Sequence, residues 1–548
     1  MKPDADAVDP VRLEVMRNAL ASIAEEMGAT LIRSAYSTNI KDRRDCSCAI
    51  YLDGAMIAQG EHIPYHLGFM HSAGRELWRR LGADTLAEGD VIVTNDPWIT
   101  GSHLCDILVY SPVFHDGRAI AFVATMAHHV DVGGMASGSC PPLATQIYQE
   151  GVRIPPVHVQ RGGRFVEDVV ELVAANLRTP RDFRGDLRAQ VAANTVGARR
   201  IGELVGRHGA EAFAALADAI ADYSERRMRA AIAALPDGEA TFEDYIEGDG
   251  LTDELIPIRC TVRIDGSDVH IDFTGSAPPA AGSVNAPPAL PHSCAYFVVK
   301  AVADPHVPSN DGAYRPIHVH LPEHSIVNAP AGAAVSNANP VTGLRVADAL
   351  FGAFAQLVPG RVGAASSGSL SALLIGGRDP RHDRPYAYIE TYGGGQGAHA
   401  GQDGFDAIQT NMSNTANAPV EAIELAYPLL IERYGLVEDS GGAGRHRGGL
   451  GIHREVRVLG HRAQVTIAGD RGRIGPWGLD GGRPGMPSSW TRVTAGGERV
   501  ALGSKVILDA DPGDLLILRT AGGGGHGDPA RRDPGAAEHD RREGLVTA

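Results

Sequence analysis

Long apolar runs are missing from this 548-residue chain. No stretch of about 18 apolar residues occurs, so no membrane-spanning helix is expected. The N-terminus, Met1-Lys2-Pro3-Asp4-Ala5-Asp6, is acidic and lacks an apolar stretch of signal-peptide type. Cysteine is scarce: the six residues Cys46, Cys48, Cys105, Cys140, Cys260 and Cys294 form no CxxC pair. Neither a zinc ribbon nor a disulfide scaffold is therefore indicated, and cytoplasmic residence is the simplest expectation. Positive charge is also in deficit. A formal net charge of −16 offers no broad basic surface to neutralise phosphates, so nucleic acid is not an expected partner. No glycine run is followed by Lys-Ser or Lys-Thr, which excludes a P-loop. Gly393-Gly394-Gly395-Gln396-Gly397 and the run Gly441 to Gly449 lack the spacing of a dinucleotide fingerprint. A GxSxG nucleophile elbow and a nucleophilic-cysteine signature are both absent.

Glycine and proline, by contrast, are abundant. Their 67 and 34 residues form about 18% of the chain, against roughly 12% on average. No repeat period accompanies them, so tight turns and close backbone approach are expected rather than a solenoid. Length alone predicts two to four lobes. Leu13, Met16, Leu20, Ile23, Met27 and Leu31 recur at helical spacing and predict a helix from about Pro10 to Arg33. Asp53-Gly54 predicts a hairpin. Short strand-like runs follow at 91–93, 107–114 and 119–126, the last two joined by His115-Asp116-Gly117 as a second hairpin. Helical patterning from about Asp186 to Leu235 stops at Pro236-Asp237-Gly238. Alternation around Gly266 predicts a hairpin over 260–273, and helices are expected near 290–303, 343–357 and 419–434. The fold class expected is α/β, or mixed α+β: multi-lobed, with several mixed sheets, long N-terminal helices and glycine-rich turns. The expected division is 1–236 as an N-terminal α/β lobe, 237–330 as a hairpin-rich lobe, 331–528 as a C-terminal α/β lobe, and 529–548 as a flexible tail.

Ligand-type side chains are densest between Asn95 and Asp131. His103 and Asp106 precede the 107–126 hairpin, and His128, His129 and Asp131 follow it. The hairpin returns its second strand beside the start of its first, so the two groups can meet. Imidazole and carboxylate together suit Zn, Mn or Fe, and three such ligands leave a position open for water activation. Alternation puts His129 and Asp131 on one face and His128 on the other. The pattern alone leaves open which histidine joins His103 and Asp106. His62 and His66 lie in an apolar setting and read either as groups supporting the metal ligands or as ordinary half-buried histidines, the latter favoured. Cys105 and Cys140 flank the cluster, Cys105 reading as a small buried hydrophobe.

These same segments carry a resemblance. NDPWITGSHLCDILVYSPVF, AHHVDVGGMASGS and IYQEGVRIPP are similar to the hydantoinase B/oxoprolinase family, as are RRDCSCAIYLDG and HIPYHLG upstream. Downstream, DFTGSAPPAAGSVNAP, ETYGGGQGA, APVEAIELAYPLLIERYGL, DSGGAGRHRGGLGI and AGGGGHGDP follow in the family's order, from about residue 10 to 530. The resemblance implies the metal-site subunit of an ATP-dependent cyclic amide hydrolase, opening a hydantoin, 5-oxoproline or lactam ring. Its implied partner is a hydantoinase A-type ATPase subunit with an actin-like fold, which carries ATP and Mg and phosphorylates the amide oxygen. A hetero-oligomer follows from that. The alternative within the family is a subunit of an acetone or acetophenone carboxylase. Carried onto this sequence, the family's metal motif falls on His103, Asp106 and His128, with His129 and Asp131 as nearby acid/base groups. One departure is Cys105, where many relatives have proline. Glu390, Asn285, Asn337 and Arg447 also lie in matching motifs, where turn and packing roles are favoured.

Overall fold

The computed structural model describes residues 9–82 and 85–547. Its central sheet forms because the chain between residues 46 and 165 repeatedly doubles back. The strands are β1 (Cys46–Leu52), β2 (Ala55–Gln59), β3 (Val91–Thr94), β4 (Asp106–His115), β5 (Arg118–His128), β6 (Val157–Arg161) and β7 (Arg164–Phe165). They lie in the order β2-β1-β5-β4-β3-β6-β7, every pairing antiparallel. Asp116 and Gly117 take φ of 48° and 74° in the β4–β5 turn, the left-handed pair that a two-residue hairpin loop requires.

Side-chain alternation then decides what packs on each face. Leu108, Tyr110, Phe122, Ala124 and Met126 join Phe69, Met70 and Leu77 of the helix Pro64–Leu81. Ile50, Val113, Val123 and Ala127 face Met16, Leu20, Ile23 and Met27 of the 25-residue helix Pro10–Ser34, beside the 29-residue helix Pro180–His208. Covered on both sides, β4 and β5 read as continuous apolar runs, and their junction is buried.

A second sheet contains β8 (Gly238–Glu247), β9 (Leu255–Asp265), β10 (Asp268–Asp272) and β11 (Ile317–His320), in the order β11-β10-β9-β8. Only β10 and β11 run parallel there, joined through the helix Ala289–Ala303. The C-terminal part has β12 (Ala372–Asp379), β13 (Arg384–Thr391), β14 (Leu429–Leu436), β15 (Ile452–Val458), β16 (Ala463–Ala468), β17 (Ser489–Val493), β18 (Arg499–Leu502), β19 (Lys505–Ala510) and β20 (Leu515–Arg519). They form two sheets, β13-β12-β16-β19 and β14-β15-β20-β17-β18. The expected mixed α/β class with several sheets is the class observed. Among the described residues, no helix is long and apolar enough to cross a membrane.

Two differences from the sequence reading have physical causes. The helix expected over 419–434 covers only Val420–Ala426; Pro428 follows, and Leu429–Leu436 instead pairs along β15. Residues 529–548 were expected to be a flexible tail, yet Pro534–Arg542 is a helix. Arg532 pins it, bridging Asp403 at 2.8 Å and Asp540 at 2.5 Å. The largest apolar cluster runs from Ala49 to Met412.

The glycine runs interlock. Gly523 N donates to Gly449 O, Gly449 N to Gln396 O, Gly442 N to Gly523 O and Gly525 N to Arg483 O, each at 2.8–2.9 Å. Four segments distant in sequence thus lie backbone against backbone. A Cβ at Gly523 would collide with Gln396 O, so this contact demands glycine where ordinary turns would tolerate substitution.

Candidate metal centre

The site sits where the β4–β5 hairpin closes. Asp106, the first residue of β4, lies directly opposite His128, the last of β5. His103 arrives from the preceding turn. There Asp96 Oδ1 caps the short helix Pro97–Thr100 by accepting from Trp98 N at 3.1 Å. Gly101 then reverses the chain at φ 81°, with Ala289 Cβ where its own Cβ would approach within 2.6 Å. Asp106 N donates to His103 O at 3.1 Å, closing the turn.

Three side chains converge. His103 Nε2 is 3.0 Å from His128 Nδ1, which is 3.1 Å from Asp106 Oδ1. His103 Nε2 is 3.2 Å from Asp106 Oδ2. All three residues are buried, and their donor atoms lie within 4.8 Å of one another. His103 Nδ1 donates to Ser336 O at 3.1 Å, which turns the Nε2 lone pair towards the cluster. His128 Nε2 is buried without a partner among the described residues. Two imidazole nitrogens and a carboxylate at mutual contact form a donor set that fits a divalent cation such as Zn, Mn or Fe. Burial acts most strongly on both His103 and Asp106, disfavouring their charged forms. Their mutual attraction overcomes it, holding His103 well above and Asp106 well below the usual range.

Neighbouring groups orient Asp106. Ser102 Oγ donates to Asp106 Oδ2, and Asn339 Nδ2 donates to Ser102 Oγ at 2.7 Å. His66 is buried, with Nδ1 2.8 Å from Ser47 Oγ and Nε2 3.9 Å from Asp106 Oδ2. It therefore lies against the cluster rather than half-buried elsewhere. His62 instead faces Glu25 at 3.7 Å. His66, His103, Asp106, His128 and Asn339 line a cavity of about 50 Å³.

The structure does not bring His129 and Asp131 into this cluster. Strand alternation turns His129 to the opposite face, where Nε2 donates to Gln190 Oε1 at 3.0 Å. Asp131 is occupied as a clamp. Its Oδ1 accepts from Gly133 N and Arg178 N, both at 3.0 Å; its Oδ2 accepts from Gly138 N at 3.1 Å and Arg178 Nη1 at 2.9 Å. Cys105 Sγ points towards Gly138 O at 3.6 Å, whereas Cys140 lines the cavity with Sγ 3.9 Å from His103 Nδ1.

Sequence reasoning missed several cavity residues. Asp45 lies beside His128, whose N donates to Asp45 O at 3.0 Å, and is among the residues lining the cavity. Arg43, Asn339, Thr391, Ser413 and Thr415 also line it. They come from four stretches of chain, and no spacing rule joins them. Of the other residues in matching motifs, Asn285 braces a loop through Ala280, Gly282 and Ala334, and Arg447 pairs with Asp406. Asn337 donates to Ser283 Oγ, and Glu390 pairs with Arg454.

Comparison with known proteins adds five findings. The family model described as hydantoinase B/oxoprolinase matches residues 9–529. An uncharacterized protein of Methanocaldococcus jannaschii is 39% identical over 531 residues, covering 96% of this chain and 92% of its own. The 5-oxoprolinase 1 of Arabidopsis thaliana is 34% identical over 545 residues; the match covers 95% of this chain but only 42% of that protein. The solved structure of the ATP-dependent caprolactamase from Pseudomonas jessenii superposes with a TM-score of 0.92 at 33% identity, covering 98% of this chain and 95% of that one. The nucleotide-free acetone carboxylase structure shares the fold, with a TM-score of 0.89 at 21% identity over 98% of this chain and 78% of its own.

Proposed function

The chain belongs to the hydantoinase B/oxoprolinase family, and from that premise we propose that it is the metal-site subunit of an ATP-dependent cyclic amide hydrolase. Its substrate is a hydantoin, 5-oxoproline or lactam ring whose amide oxygen a separate actin-like ATPase subunit phosphorylates, with ATP and Mg held on that partner. The observation carrying this reading is the buried convergence of His103, Asp106 and His128 on one cavity. The likeness to a solved ATP-dependent caprolactamase supports it, as does the naming of a related Pseudomonas jessenii chain as a caprolactamase subunit beta.

The chemistry follows from the substrate and the cavity wall. Resonance makes an amide carbon a poor electrophile; phosphorylating its oxygen removes that resonance, so water can add to the carbon, the C–N bond breaks with a proton passing to nitrogen, and the acyl phosphate that remains is hydrolysed by a second water to carboxylate and phosphate. His103 Nε2, His128 Nδ1 and Asp106 would hold a divalent cation, which would supply Lewis acidity at neutral pH. Ser102 and Asn339 fix the Asp106 carboxylate, so its oxygens stay aimed at the histidines. Ser336 O fixes the His103 tautomer. His66, anchored at Nδ1 by Ser47, presents Nε2 to the cluster as the acceptor for the attacking water's proton. Walls of Ile63, Leu370, Ala372 and Ile389 limit access of bulk water.

The shared acetone carboxylase fold supports one second reading, a ketone carboxylase subunit. Both are tested by assembling the chain with its ATPase partner. Hydantoin, 5-oxoproline and caprolactam are supplied in one series, acetone or acetophenone with bicarbonate in the other. ATP-coupled ring opening supports the hydrolase; carboxylation without ring opening overturns it.

A further inference from the structure

One wall of the metal cavity is built of hydroxyl groups around a buried cation that has no acid partner. Arg43 is 1% exposed, and among the described residues it forms no ion pair. Its guanidinium is held by neutral acceptors from its own turn and from two distant segments. Nε donates to Ala416 O at 3.2 Å, and Nη1 donates to Asn39 Oδ1 at 2.9 Å and Ile389 O at 3.2 Å. Nη2 donates to Thr391 Oγ1 and, at 3.4 Å, to Thr415 Oγ1. A buried charge matched only by neutral dipoles is costly unless an opposite charge arrives.

The hydroxyls carry that charge to the cavity. Thr391 Oγ1 and Thr415 Oγ1 are 3.3 Å apart, and Ser413 Oγ is 3.3 Å from Thr415 Oγ1. Three hydroxyls own three protons, and the two contacts between them use two at most. Arg43 only donates, so it takes up no hydroxyl proton. One O–H is therefore left over from these contacts, on residues that line the cavity. Accepting from a guanidinium also makes Thr391 and Thr415 stronger donors.

We propose that Thr391, Ser413 and Thr415, backed by Arg43, form a wall that binds the phosphoryl oxygens of the activated substrate, facing the cavity shared with His103, Asp106 and His128. The phosphoryl role rests on the hydrolase reading above; anion binding at this wall does not. The hydroxyls hold the leaving group while the metal cluster addresses the carbon.

The test is calorimetric titration of the Mn-loaded chain with inorganic phosphate, with acetate and bicarbonate as comparison anions. Thr391→Val and Thr415→Val keep the side-chain shape and remove the hydroxyl, and Ser413→Ala is the third variant. Arg43 is left in place because it braces three segments. The expected result is saturable phosphate binding, weakened about tenfold or more by each Thr→Val change, at unchanged metal content. Wild-type affinity in the variants would mean that the metal alone holds the anion, and it overturns the proposal. So does an absence of phosphate binding, or tighter binding of acetate or bicarbonate. Metal content, read on the same samples, separates this failure from failure of the hydrolase reading: a metal-loaded chain indifferent to phosphate contradicts only the wall.

Discussion

His103 Nε2 lies 3.0 Å from His128 Nδ1 although 25 residues separate them. The distance is set by one hairpin, because the β4–β5 register places Asp106 opposite His128 and the turn before β4 places His103 above both. Two buried imidazoles facing each other across a carboxylate are poorly satisfied by one another. A cation between them resolves that conflict.

His129, adjacent in sequence, belongs to a different environment. Its Nε2 donates to Gln190 Oε1, while Gln190 Nε2 donates to Ile107 O at 2.9 Å. Replacing His129→Phe leaves Gln190 Oε1 unpaired, and the expected loss is about 1–3 kcal/mol of stability. Metal content should stay at the wild-type level. Denaturant titration and elemental analysis of the same preparation check both halves.

Glu150 predicts a pH dependence. The residue is fully buried; its Oε1 accepts from Val335 N and Ser336 N, both at 2.8 Å, and its Oε2 has no partner among the described residues. Burial, opposed by those hydrogen bonds, pushes its carboxyl up to about 8. The folded chain thus keeps a proton that the unfolded chain loses near 4.5, and stability falls as pH rises between these values. Glu150→Gln retains the acceptor and replaces the proton-bearing oxygen by NH₂. It should flatten the melting-temperature profile over that window and raise stability at pH 8, by a few kcal/mol at most.

A buried ionic cluster ties the second sheet to the β16–β19 region. Arg345 Nη2 is 2.8 Å from Asp470, and Lys505 is also 2.8 Å from Asp470. Arg471 bridges Asp244 at 2.8 Å and Asp348 at 3.0 Å. Removing one cation leaves an uncompensated carboxylate, so Arg345→Met should cost about 3–5 kcal/mol in equilibrium unfolding. Adding Asp470→Asn to that variant should recover part of the loss.

The interlocked glycines make a paired prediction. Gly523→Ala drives a Cβ into Gln396 O, a backbone atom that cannot step aside, whereas Gly401 has open space around it. The first substitution should lower the melting temperature sharply or prevent folding. Gly401→Ala should leave it within about 0.5 kcal/mol of wild type.

Legibility in the sequence followed locality. The helix Pro10–Ser34 and the β4–β5 hairpin were readable because their periodicity and turn residues are contiguous. His103, Asp106 and His128 were readable as a group for the same reason, since one hairpin carries them. His66 was underread because an apolar neighbourhood looks the same whether a histidine packs idly or leans on a carboxylate. Arg43, Thr391, Ser413 and Thr415 meet only through tertiary folding, and hydroxyl residues carry no spacing of their own. Leu429–Leu436 was misread as helix because an apolar run of that length suits either state, and its partner β15 lies sixteen or more residues further along. The tail's order depends on Arg532 finding Asp403, a contact that composition does not reveal.

Metal content is the most direct test of the central claim. The chain is dialysed after loading with Zn, Mn or Fe and analysed for bound metal, beside His103→Ala, Asp106→Ala, His128→Ala and His129→Ala. The account predicts about one tightly held ion per wild-type chain. It predicts loss of that ion in the first three variants and its retention in His129→Ala. A wild-type chain that holds no ion, or three cluster variants that keep it, would contradict the account.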